Sequence, residues 1–235
     1  MLLISQLIVH YLLGMEIIAH RGAKGLAPEN TLEAFKKAIA HHADQLEFDL
    51  RVTKDGVVVV NHDRSISGPQ GGKLRIAECN FQELRRHKPD LMTFAALLQA
   101  IDNNTHLLIE IKPRVPITQI VRHIQSAIAN GRPMSTISIG SFDQSILRAI
   151  HSALPDMDTV VIEHWSSIRA QLRCWQLHTK RINIRSWWLW RGFLRIMYMR
   201  GYQIAPYTLN NPARARKWEP YLYGVITDYP ERFER

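Results

Sequence analysis

Polar and apolar positions alternate in short blocks along most of this chain. A run at 17–19, Ile17-Ile18-Ala19, ends in His20, Arg21 and Gly22. Leu32, Phe35, Ala38 and Ile39 follow at helical spacing. Asn30 is the expected helix cap, with Glu33 three positions on as the acid of a capping box. The next block, Gln45-Leu46-Glu47-Phe48-Asp49-Leu50, has the period of a strand. Glu47 and Asp49 then share one face, with Leu46, Phe48 and Leu50 on the other. Thr53-Lys54-Asp55-Gly56 is a turn signal before the valine run 57–60, too short a link for a parallel crossover. This predicts an antiparallel hairpin. Pairing Val52 with Val57 sets His62 opposite Glu47.

Residues 65–75 read as a Gly/Ser/Pro-containing loop. Helices are expected at 80–86 and 94–101, then a strand at 106–112 in which Glu110 and Lys112 share a face. Beyond it helices are expected at 117–129, 143–154, 166–178 and 190–200. Strands are expected at 136–139, 159–162, 181–184, 204–208 and 224–227. Leaving out the outer arm of the hairpin, eight candidate parallel strands alternate with helices. That is the count of a single-domain (β/α)8 TIM barrel with a β-hairpin extension after its second strand. In such folds ligands bind at the C-terminal ends of the strands, where His20, Arg21 and the acidic pair would lie.

Two carboxylates on one enclosed strand face repel unless a cation joins them, so Glu47 and Asp49 point to a divalent ion. Glu110 and Lys112 can simply pair; in a barrel whose second strand carries acids at the same mouth, Glu110 reads as a third metal ligand and Lys112 as a phosphate contact. The net charge of +9 favours anionic partners without choosing among a phosphodiester, an anionic membrane surface and nucleic acid. Nucleic acid is not expected, because the positive charge reads as scattered and no binding motif occurs. The two cysteines, Cys79 and Cys174, form neither a disulfide framework nor a zinc pattern, which suits a reducing, cytoplasmic setting.

Residues 1–14 are apolar but too short to span a bilayer, which takes roughly 20 residues. The readings are a helix closing the barrel bottom, an upstream extension with Met15 as the start, or a weak interfacial anchor. Trp187, Trp188 and Trp190, with Arg185 and Arg191, read either as a lip for lipid headgroups or as indoles packed on the barrel. The first alternative allows peripheral membrane contact.

The sequence resembles the glycerophosphodiester phosphodiesterase family. The resemblance rests on His20-Arg21-Gly22 with Pro28-Glu29-Asn30-Thr31, on Glu47-Phe48-Asp49, and on Val60-Asn61-His62-Asp63. It continues in Glu110-Ile111-Lys112 and Ile226-Thr227-Asp228-Tyr229-Pro230. The Arg-Thr-Thr run that the family carries after His-Asp is missing, so the substrate-side wall is expected to be reduced. Tyr207 to Asn210 stands where the family commonly has Trp-Thr-Val-Asn. The resemblance implies metal-dependent hydrolysis of glycerophosphodiesters to glycerol 3-phosphate and an alcohol. It assigns one divalent cation, Mg²⁺ or Ca²⁺, to Glu47, Asp49 and Glu110. His20 and His62 become the general acid and base, and Arg21, Lys112 and Tyr207 contact substrate. The nucleophile is water or the glycerol 2-hydroxyl. Alternatives are a lysophospholipase D or sphingomyelinase D-like activity on a lipid phosphodiester, and a non-catalytic phosphodiester-binding module.

Overall fold

The computed structural model describes residues 14–233. The readings of the N-terminal apolar stretch therefore fall, except for Gly14, outside the described residues. In chain order the strands are β1 (Glu16–Ala19), β2 (Gln45–Val52), β3 (Val58–Val60), β4 (Ser65–Ser67), β5 (Lys73–Arg75) and β6 (His106–Ile111). They continue with β7 (Ile137–Ser141), β8 (Asp158–Glu163), β9 (Arg181–Arg185), β10 (Gln203–Tyr207) and β11 (Gly224–Thr227). The helices are α1 (Leu32–Ala40), α2 (Phe81–His87), α3 (Phe94–Ala100), α4 (Thr118–Ala129), α5 (Gln144–Ala153), α6 (Ser167–Gln176), α7 (Arg191–Met199) and α8 (Pro212–Trp218).

Eight strands lie side by side in the order β10-β9-β8-β7-β6-β2-β1-β11, each parallel to its neighbour, with β3 antiparallel on β2. This is the expected TIM barrel with its hairpin arm. Between β10 and β11 there is no continuous ladder. Single hydrogen bonds stand there instead: Tyr223 N–H donates to the Ile204 carbonyl at 3.1 Å and Leu209 N–H to the Ile226 carbonyl at 2.9 Å.

The period of two sorts side chains as expected. Leu46, Phe48 and Leu50 join the large core between sheet and helices, where Phe48 meets Phe35 edge-on at 5.8 Å. Ile18, Leu108, Val160, Ala205 and Ile226 form a smaller cluster inside the barrel. At the N-terminal end of the strands this cluster gives way to a polar network. Arg181 pairs with Asp158, donates to Ser138 Oγ at 2.9 Å and stacks over the Tyr223 ring. Tyr223 donates to Asn183 Oδ1 at 2.9 Å, and Gln45 bonds Glu16 nearby.

Several expectations need correction. Asn30 does not cap α1. Thr31 does, its Oγ1 accepting from Ala34 N–H at 3.2 Å, while Glu33 pairs with Lys37 one turn on. The hairpin register is one residue from that expected: Val52 pairs with Val58 and Leu50 with Val60, and Asn61 N–H then donates to the Asp49 carbonyl at 3.0 Å, so His62 is not opposite Glu47. Thr53 bonds Val57 through N–H to carbonyl, which puts Val57 in the turn. Residues 65–75 are not only loop, because β4 and β5 pair across a short 3-10 turn. Helix α8 escaped the sequence reading, although Asn211 caps it and Pro212 opens it.

Candidate active site

At the C-terminal end of the barrel the short loop from β1 to α1 holds most of the cationic side. Arg21, Gly22 and Asn30 all have left-handed backbones, with φ of 56°, 80° and 59°. A side chain at Gly22 would meet Ala34 at 2.7 Å, so only glycine lets α1 pack this close. The tight loop turns Asn30 inward. Its buried amide donates to Asp49 Oδ2 at 2.9 Å.

Parallel pairing of β2 with β6 sets Asp49 beside Glu110, and Glu47 faces inward two residues earlier. One carboxylate oxygen of each of the three lies within 4.8 Å of the others, and all three residues are buried. Lys112 bridges two of them, meeting Asp49 Oδ1 at 2.6 Å and pairing with Glu110. Arg21 is engaged as well. Its Nη1 donates to both oxygens of Glu29 at 2.9 Å, its Nε stands 3.4 Å from Asp49, and its backbone N–H donates to Glu47 at 2.8 Å.

The electrostatics follow from this crowding. Burial, then the charges of Asp49 and Glu110, push the Glu47 carboxyl well above its ordinary range. Burial and the Asp49 charge raise Glu110 to about 7. Asp49 goes the other way, to about 2: burial opposes its ionisation, but Lys112 and Arg21 outweigh it. Two of three carboxylates thus resist ionisation without a further cation. The donors are all hard oxygens, with no thiol among them. The residues present fit a divalent cation.

Both predicted histidines line the same cavity, of about 730 Å³. Each holds an aspartate through Nδ1: His20 to Asp228 at 2.6 Å and His62 to Asp63 at 2.8 Å. Nε2 is the nitrogen left for chemistry in each. Asp228 is itself fixed by Asn210, whose amide donates to it at 2.9 Å. Burial opposes ionisation of Asp228, but hydrogen bonds from His20 and Asn210 keep its carboxyl below the ordinary value. Burial lowers His62, against the pull of Asp49.

The opposite wall is aromatic. Phe142 stacks on His164 at 4.4 Å, and Tyr207 Oη stands 2.8 Å from His164 Nδ1. Trp165 and Trp187 meet edge-on at 5.7 Å on the rim. The Trp187–Trp190 run divides between its two readings: Trp187 and Trp190 are exposed, whereas Trp188 donates to the His164 carbonyl and packs on Phe193. The structure thus gathers every predicted site residue at one mouth except Asp49, which is out of the lining but within the carboxylate group. Asn30, Asp228 and His164 were not read as site residues. The first two stand inside motifs already quoted from the sequence, and that was the available signal.

Barrel and carboxylate-lined mouth make the chain a TIM-barrel protein with a candidate cation site at the end of the barrel where such folds bind ligands. It belongs to the glycerophosphoryl diester phosphodiesterase family, whose profile matches residues 20–232. YhdW of Bacillus subtilis, itself named only provisionally as a glycerophosphodiester phosphodiesterase, is 28% identical over 232 residues, covering 92% of this chain and 96% of its own. The glycerophosphodiester phosphodiesterase of Thermotoga maritima superposes with a TM-score of 0.76 at 27% identity, covering 93% of this chain and 96% of that one. An Oleispira antarctica phosphodiesterase, solved with the product sn-glycerol 3-phosphate, shares the fold with a TM-score of 0.80 at 22% identity, covering 95% and 96% of the two chains.

Proposed function

We propose that this phosphodiesterase hydrolyses glycerophosphodiesters to glycerol 3-phosphate and an alcohol, with His20 and His62 dividing the proton transfers. The observation that carries the reading is the meeting of two aspartate-held histidines on one cavity with a group of three buried carboxylates, two of which line it. Glu47, Asp49 and Glu110 would hold one Mg²⁺ or Ca²⁺. When bound, that ion supplies a Lewis acid where charge grows on the phosphoryl oxygens.

The chain's own residues supply the rest. Lys112 sits among the carboxylates and offers an ammonium to a nonbridging oxygen. Arg21, braced by Glu29, presents a fixed cation beside it. One histidine takes a proton at Nε2 from the attacking water, or from the glycerol 2-hydroxyl with water then opening the cyclic phosphate, as the new P–O bond forms. The other gives a proton to the alcohol oxygen as the old P–O bond breaks. Asp228 holds the His20 ring in one orientation. Tyr207, its hydroxyl tied to His164, is a flat wall for the glycerol.

The test is a comparison of kcat/KM with added Mg²⁺ or Ca²⁺ across glycerophosphocholine, other glycerophosphodiesters, lysophosphatidylcholine and sphingomyelin. Glycerophosphodiesters are expected to be turned over best, with glycerol 3-phosphate as product. A preference for either lipid would favour the alternative reading, and full activity in excess EDTA would remove the metal from it.

A further inference from the structure

The positive charge is not scattered as a first reading of the sequence has it. Residues 164–218 contain eleven Lys or Arg and no Asp or Glu. All six tryptophans of the chain fall in the same segment. Glu163, just before it, is already held by Arg169 at 2.5 Å.

The segment also carries most of the exposed large apolar side chains among the described residues. On α6, Ile168, Leu172 and Trp175 are 79%, 53% and 73% exposed. They stand at i, i+4 and i+7, so they form one stripe along the solvent side of the helix. The inward side of α6 is separately filled by Ala170, Cys174 and Leu177. Arg200, just after α7, donates to Gln171 of α6, which brings the two helices side by side. Ile196 and Met199 on α7 are exposed as well, as is Trp190 at its start. Arg191, Arg195 and Arg200 are exposed between them.

We infer that this face, built by α6, α7 and the rim tryptophans, docks on an anionic lipid bilayer surface. The charge selects the occupant. A twofold dimer would set the patch against itself, and a surface without a single acid would meet its own arginines. Nucleic acid would satisfy the charge, but Ile168, Leu172, Ile196 and Met199 have no ring to stack on a base. Indoles, aliphatic side chains and arginines interleaved on one face match the boundary between acidic headgroups and acyl chains. Trp165 and Trp187 join this face to the cavity rim, so docking brings the mouth to the interface.

The test mixes the full chain with vesicles of phosphatidylglycerol or of phosphatidylcholine and follows sedimentation and quenching of tryptophan by brominated lipid. Binding to phosphatidylglycerol at low salt is expected, with little to phosphatidylcholine, and with loss at about 1 M salt, where screening acts within about 3 Å. The variant L172S/W175S/M199S is expected to bind at least about tenfold more weakly, and so is R191E/R195E. Both leave the cavity untouched, so kcat/KM on glycerophosphocholine in solution should stay unchanged and reports folding. Failure of the wild type to bind phosphatidylglycerol would overturn the inference. So would equal binding to both lipids, or variants that bind like wild type, since the contact would then lie elsewhere, residues 1–13 included. A vesicle-free dimer that either variant dissolves would assign the face to a second copy instead.

Discussion

Arg181, at the N-terminal end of the barrel, meets Asp158, lies near Glu16, stacks on Tyr223 and bonds Ser138, while Glu16 is bonded by Gln45, so each charged group of this network has a partner in the protein. Lys112, at the other end, stands among three carboxylates and shares the task of neutralising them with an Arg21 already committed to Glu29. Both ends are polar plugs in the same eight strands. The first pairs its arginine with residues of the protein and lies away from the cavity. The second has more acid than base and keeps a demand for positive charge. A TIM barrel separates these tasks along its axis, with stability at the bottom and chemistry at the top.

The sharpest way to break this contrast is to remove a histidine. His20→Ala and His62→Ala are each expected to lower kcat by about 10²–10⁴-fold, the usual worth of a general acid or base, with little change in melting temperature. Near-normal turnover by either folded variant would take that histidine out of the mechanism.

The opposite pattern is expected at the bottom. Arg181→Met strands Asp158 and Glu16. Asp158 is part exposed, so the cost falls below that of a fully buried pair, to about 2–3 kcal/mol in urea unfolding. Its kcat/KM should match wild type below the transition. Loss of activity without loss of stability would contradict the division.

Added Mg²⁺ or Ca²⁺ should act on the top alone. At an ion concentration 100 times the dissociation constant, wild type should gain about 2.7 kcal/mol. Glu110→Gln should gain far less and lose activity, and Arg181→Met should gain as much as wild type. Equal gains in Glu110→Gln and wild type would move the ion elsewhere.

A smaller effect is expected with pH in metal-free protein. Folding raises the Glu110 carboxyl to about 7, so between the unfolded value and that point the folded state binds more protons than the unfolded one. Stability from this group is then present at low pH and lost as pH rises through about 7. Gln at this position does not titrate. Melting curves of Glu110→Gln and wild type should therefore lie together near pH 5 and separate, with the variant higher, by about pH 8. Curves that stay parallel would mean the carboxyl is not perturbed.

Much of the top was legible because period two is rigid. Glu47, Asp49, Glu110 and Lys112 could be placed on one face from their spacing, and β2–β6 pairing did the rest. The hairpin register was lost by one residue because Thr53 closes a five-residue turn that valine-rich sequence does not announce. Asn30 was misread because a polar residue before a helix is usually a cap. Only the left-handed turns at Arg21 and Gly22 redirect it to Asp49. The Asp228–His20 bond joins residues 208 apart and depends on β11 lying beside β1, which no local pattern encodes.

The join between β10 and β11 has a consequence for how the barrel assembles and comes apart. Strands β1 and β11 are ends of the described chain, and bringing them together closes a loop of some two hundred residues, an entropic debt that favours late docking. On its other side β11 is tied to β10 by isolated bonds instead of a ladder. The last strand is thus held firmly along one edge and loosely along the other. Breathing should begin at this seam, and amides on its loose edge should exchange with deuterium ahead of those buried in β2 and β6.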